Sequence, residues 1–111
     1  MIMAASGLWH FSYTVRELDR SIDFYCRLIG MELVHRQRQA NAYTAQLVAY
    51  EDADLDVAML RIPNCPVDVS GHHLELVQYV YPAGSPIEMA TNQPGVAHLA
   101  FVVDDIHTMY D

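Results

Sequence analysis

Three residues of this chain carry side chains suited to holding a divalent metal ion: His10, Glu75 and His98. A neutral imidazole and a carboxylate are ordinary ligands for Zn, Ni, Co, Mn or Fe(II). Each of the three lies early on a strand-like run, on the less apolar face of that strand. A glutamate buried on an otherwise apolar strand is costly unless it is paired or coordinates a metal, which singles out Glu75. A lone strand histidine is more often an ordinary core or surface side chain. What distinguishes His10 and His98 is that each takes the second position of a repeated unit. Trp9-His10-Phe11-Ser12-Tyr13-Thr14-Val15 is followed by Glu17-Leu18-Asp19, and Ala97-His98-Leu99-Ala100-Phe101-Val102-Val103 by Asp105-Ile106, with a constant offset of 88 residues. Such a repeat points to a duplicated fold whose halves each lend a ligand to one site.

The elements that must position these residues follow from periodicity. Residues 9–15 alternate as a strand: Trp9, Phe11, Tyr13 and Val15 share an apolar face that should pack on a helix, while His10, Ser12 and Thr14 share a polar one. Residues 19–29 switch to helical period, with Leu18, Ile22, Tyr25 and Ile29 on one stripe, Asp19 as N-cap and Gly30 as left-handed C-cap. A strand is expected over 31–36. Asn41 should cap a short helix carrying Tyr43, Leu47 and Tyr50. Residues 55–62 read as a strand closed by Pro63-Asn64-Cys65-Pro66. Residues 72–81 form another, with Leu74, Leu76 and Val80 facing one way and His73, Glu75, Val77, Tyr79 and Tyr81 the other. Residues 97–103 are expected to be a strand and 104–111 the start of a helix. The fold class is α+β, in the order β-α-β-(α)-β-β and then β-α.

Three runs carry a family resemblance. His10-Phe11-Ser12-Tyr13-Thr14-Val15-Arg16-Glu17-Leu18-Asp19-Arg20-Ser21-Ile22-Asp23-Phe24-Tyr25, with Leu28, Gly30, Met31 and Glu32 after it, resembles the opening of the vicinal oxygen chelate superfamily, which includes glyoxalase I, methylmalonyl-CoA epimerase, extradiol dioxygenases and bleomycin-resistance proteins. Leu74-Glu75-Leu76-Val77-Gln78-Tyr79 resembles the last strand of its first module. The run from Pro94 to Ile106 resembles the opening of its second. The resemblance implies a glyoxalase-like fold in which two βαβββ modules curl around a divalent metal. It implies His10, Glu75 and His98 as three ligands, with the fourth, a carboxylate, on a strand beyond Asp111. The whole chain, 1–111, is read as one glyoxalase-like domain, with module one at about 8–82 and an incomplete module two from about 96. The expectation is therefore either a truncated sequence or a partner chain that supplies the missing strands, with a homodimer as the assembly.

The function implied is a metal-dependent lyase or isomerase, glyoxalase I- or epimerase-like, acting on a small-molecule substrate through a metal-stabilised enediolate. Glu75 on the last strand of module one separates this branch from the Fe(II) extradiol dioxygenases, one alternative. Ala58, where epimerases tend to carry a second glutamate, weighs against an epimerase. A metal-free drug- or small-molecule-binding module of the bleomycin-resistance kind is the other alternative. Ser12, Thr14, Tyr79 and Tyr81 share the ligands' faces and are candidate pocket residues. The 111 residues are 52% hydrophobic with a net charge of −8, which argues against a nucleic-acid backbone or an anionic membrane as partner. No apolar run reaches a membrane span and no secretory signal is evident, so a cytoplasmic protein is expected, with Cys26 and Cys65 as free thiols.

Overall fold

The computed structural model describes residues 3–64 and 73–110; Cys65, Pro66 and His72 of the expected turn and strand lie outside them. Strand β1 (His10–Thr14) leads into helix α1 (Leu18–Asp23), a π-helical turn (Phe24–Leu28), β2 (Glu32–Gln39), helix α2 (Ala42–Val48), β3 (Asp54–Arg61), β4 (His73–Tyr81) and helix α3 (Ile106–Tyr110). The four strands form one sheet in the order β1-β4-β3-β2. The β1–β4 pair is parallel, and the other two pairs are antiparallel.

The helical stripe read from the sequence is the face that packs. Leu18 is fully buried with Ala58, Leu60, Leu74 and Leu76, and Tyr13, Val15, Ile22, Tyr25 and Ile29 close around them. Complete burial of leucines such as Leu60 and Leu76 stabilises by roughly 1.5–3 kcal/mol each. The helix ends at Gly30, whose φ of +88° suits glycine. The Met31 N–H reaches back to the Tyr25 carbonyl at 2.9 Å and Ile29 to Phe24 at 3.3 Å, a closure widened by the π-helical turn. The start differs from expectation. Asp19 does not cap; its carboxylate takes the Arg36 guanidinium at 2.6 Å. Glu17 stands at the cap position without a side-chain bond, and the first amide, that of Leu18, donates to Gln78 Oε1 on β4 at 2.8 Å. A strand residue therefore supplies the cap that the local sequence lacks.

Asn41 does cap α2, accepting from the Thr44 N–H at 2.8 Å. That helix packs the opposite sheet face: Val48 joins Leu55, Val57, Val77 and Tyr79 in a second, smaller cluster. Strand β2 runs three residues beyond its expected end, to Gln39. Arg36 pairs with Asp56 and Arg38 with Asp54 across β2–β3, cross-strand charge pairs that extend the ladder.

The expected strand at 97–103 joins no sheet. Its burial still alternates, with Leu99, Phe101 and Val103 half-buried and His98, Ala100 and Val102 exposed. Leu99 and Phe101 pack against the main cluster. The strand pattern is present, and what is absent among the described residues is the neighbour. In the first unit β1 pairs with the fourth strand of that unit; no described strand occupies the equivalent place for the second. Helix α3 does form, capped by Asp105, which accepts from the N–H of His107 at 3.0 Å and from the Thr108 hydroxyl at 2.8 Å. These bonds hold the Asp105 carboxyl below the usual carboxylate range. No helix among the described residues is long and apolar enough to cross a membrane.

Candidate metal site on the β1–β4 face

The parallel register of β1 and β4 aligns His10 with His73, Ser12 with Glu75 and Thr14 with Val77. Register partners share a sheet face. Two residues 65 apart in the chain, His10 and Glu75, thereby become diagonal neighbours. His10 Nε2 lies 3.7 Å from Glu75 Oε1, with about a quarter of each side chain exposed. The Ser12 hydroxyl donates to the same Oε1 at 2.9 Å, fixing the carboxylate. Two donors on one tetrahedral ion with bonds of about 2.0–2.1 Å stand about 3.3 Å apart, so the His10–Glu75 separation is within a few tenths of an ångström of a shared ion. The Nδ1 atoms of His10 and His73 are buried without a hydrogen-bond partner. The imidazole of His10 and the oriented carboxylate of Glu75, at this separation, are a donor pair that fits a divalent cation.

The third expected ligand stands apart. His98 lies exposed on the unpaired segment, and among the described residues no three His, Cys, Asp or Glu side chains are grouped closely enough to hold an ion as they stand. Because Leu99 and Phe101 face the core, the alternation of the segment leaves His98 exposed. Of the expected pocket residues, Ser12 touches Glu75. Thr14 lies one step along on the same face. Tyr79 sits in the α2-side cluster, edge-on to Tyr50 at 6.1 Å, and Tyr81 is exposed.

The register also settles where β3 contributes. Ala58 is fully buried on the helix side, opposite Leu76. The site-face positions are Val57 and Met59, opposite Val77 and Glu75. Neither carries a carboxylate. Next to Met59 on β2 stands His35, whose Nε2 lies 3.0 Å from Gln37 Oε1. His73 and His35 were both legible on strands. The signal that would have picked out His73 is the His73-x-Glu75 spacing, two on a strand and therefore one face. A cavity of about 280 Å³ opens at the start of β1 and β4; its polar lining is His10 and His73, and Leu99 and Phe101 form part of its wall.

The sheet order and the parallel β1–β4 closure define a class. The chain belongs to the glyoxalase/bleomycin resistance protein/dioxygenase superfamily, which it matches over residues 7–111. Members of that superfamily act on small molecules and generally use divalent metals. A glyoxalase family protein from Bacillus cereus shares the fold, with a TM-score of 0.74 at 21% identity over 97% of this chain and 70% of that one. In sequence, the chain is 32% identical over 108 residues to a 2-epi-5-epi-valiolone epimerase of an Actinomyces species, covering 95% of this chain and 56% of that protein. The chain thus spans about half the length of this curated relative.

Proposed function

We propose that this chain builds the first half of a divalent-metal-dependent isomerase site, of the epimerase kind, for a small hydroxylated ketone. The observation that carries it is the Glu75 carboxylate, set 3.7 Å from His10 Nε2 and oriented by Ser12 on a sheet face. The epimerase relative supports the choice of reaction over the glyoxalase and dioxygenase alternatives.

His10 and Glu75 would hold the ion, and His98 would join them if its segment paired as a strand. The ion would supply Lewis-acid stabilisation for the negative charge that develops when the carbon beside a carbonyl loses its proton. Ser12 donates to Glu75 Oε1 and so orients the carboxylate that would face the ion. Val57 and Val77, both buried, give the floor an apolar, water-poor character that strengthens charge interactions above it. Thr14, Tyr79 and Tyr81 line the substrate side. His35, held by Gln37, is placed to meet a hydroxyl two strands from Glu75. The 97–103 segment and the outer edge of β1, both without a strand neighbour among the described residues, support completion of the site by further strands, from a longer chain or a second copy in a homodimer.

The test is incubation of the protein with 2-epi-5-epi-valiolone in D2O with Zn, Co, Ni or Mn, followed by proton NMR. Epimer formation with deuterium entering at one carbon is expected, and it should stop on chelation and in Glu75→Ala. Turnover that survives both would refute the reading, as would a chain that binds none of these metals.

A further inference from the structure

His73 shares the site face with His10 and Glu75 and has no role in the site described so far. It precedes Glu75 by two residues on β4, so the two side chains leave the strand on one side. It is also the register partner of His10 on the adjacent parallel strand. Strands stand about 4.8 Å apart and residues two apart on a strand about 6.7 Å, so the three positions form a compact triangle on one face. One side of that triangle already lies at 3.7 Å, between His10 Nε2 and Glu75 Oε1. The Nδ1 of His73 is buried and unpartnered, so a ligand on that nitrogen would satisfy it. Two imidazoles and one carboxylate are a donor set that holds a divalent ion and keeps a position open for water or substrate.

We propose that His10, His73 and Glu75 form a three-donor divalent-cation site within the four-stranded sheet, with His73 as a protein ligand. The inference rests on the metal-dependent reading above and extends it. His98 then adds to an ion that the sheet already holds. The His73 ring must turn about its side-chain torsions to complete the set, because the three are not grouped as they stand.

The 111-residue chain is titrated with Zn(II) by calorimetry and with Co(II) by visible absorption, as wild type and as His73→Phe and His73→Gln, with His107→Ala on the exposed face of α3 as control. X-ray absorption then counts imidazoles on zinc in His98→Ala. One ion per chain is expected in wild type and control. Both His73 variants should bind at least about tenfold more weakly, the scale at which even supporting groups around a ligand act. His98→Ala should retain two imidazoles on its zinc. Wild-type affinity in the two His73 variants, or a single imidazole in His98→Ala, overturns the role of His73 and leaves the metal-dependent reading standing. A wild-type chain that binds no ion overturns both. Should the His73 variants fail to fold, the imidazole count in His98→Ala decides.

Discussion

Replacing Gln78 with alanine should destabilise the fold at a point where no ordinary core contact is removed. Leu18 is 1% exposed, and its amide is the first of α1. Glu17 provides no side-chain cap, so the Gln78 Oε1 at 2.8 Å is the acceptor for that N–H. Deleting it strands a buried donor, which costs about 1–3 kcal/mol. Taking about 2 kcal/mol, with about 4–8 °C per kcal/mol for a domain near this size, the melting temperature should fall by roughly 8–16 °C. In urea, with a slope of about 1–1.5 kcal/mol/M, the midpoint should drop by roughly 1.5 M at constant slope. Circular dichroism during urea and thermal unfolding measures both. Gln78→Glu keeps an acceptor and places a negative charge at a helix start, so it should recover most of the loss. A Gln78→Ala midpoint equal to wild type, or Gln78→Glu as unstable as Gln78→Ala, would refute the idea that β4 caps α1.

Glu75→Ala should abolish stoichiometric metal binding while leaving the circular dichroism spectrum unchanged, and Ser12→Ala should weaken zinc by roughly tenfold through a freed carboxylate, both read by calorimetry. Asn41→Ala removes the acceptor for the Thr44 N–H and hydroxyl and should cost about 1–2 kcal/mol in urea unfolding. The Arg36 guanidinium holds the Asp56 carboxyl below its ordinary value. A depressed folded value means that the stabilisation is present above the unfolded carboxylate range, near 3.9, and is lost as the pH falls through the folded value. Arg36→Leu should therefore lower stability at pH 7 and flatten its decline below about pH 4, as followed by urea midpoints across pH. Leu76→Ala, at the centre of the main cluster, should cost about 2–5 kcal/mol.

Local signals were legible wherever one element answers to its own residues. The alternation of His10–Thr14, the stripe of Leu18, Ile22, Tyr25 and Ile29, the Asn41 cap and the two faces of β4 are all set by period and by side-chain chemistry within a few residues. The family pattern carried His10 and Glu75 to one face, and the parallel register brings them together. What failed to read through depends on distant partners. Asp19 looks like a cap, but α1 starts at Leu18, so Asp19 lies inside the first turn and its carboxylate accepts from Arg36 of β2. Gln78 caps a helix 60 residues earlier, which no local pattern encodes. Glu17 and Asp105 occupy equivalent places in the repeat, each just before a helix, yet only Asp105 caps; at α1 the first amide donates to Gln78 instead. Segment 97–103 carries strand alternation, but alternation fixes only which side chains face inward; ladder bonds need a neighbour.

The parallel closure of β1 onto β4 also bears on how the chain reaches its fold. Its other strand pairs join neighbours in sequence, whereas β1 docks across 63 residues, from Ser12 to Glu75. Drawing together the ends of a flexible loop of that length costs roughly 4 kcal/mol of chain entropy on the logarithmic term alone. Hairpin-like β2–β3 and β3–β4 can assemble first, leaving β1 to arrive last and to detach first. An ion held by His10 and Glu75, as proposed, would span this seam and act as a removable cross-link between the first strand and the rest of the sheet. Metal loading should then slow the release of β1, visible as metal-dependent protection of the Tyr13 and Val15 amides in hydrogen exchange, while the β3 amides exchange at a rate set by the sheet itself.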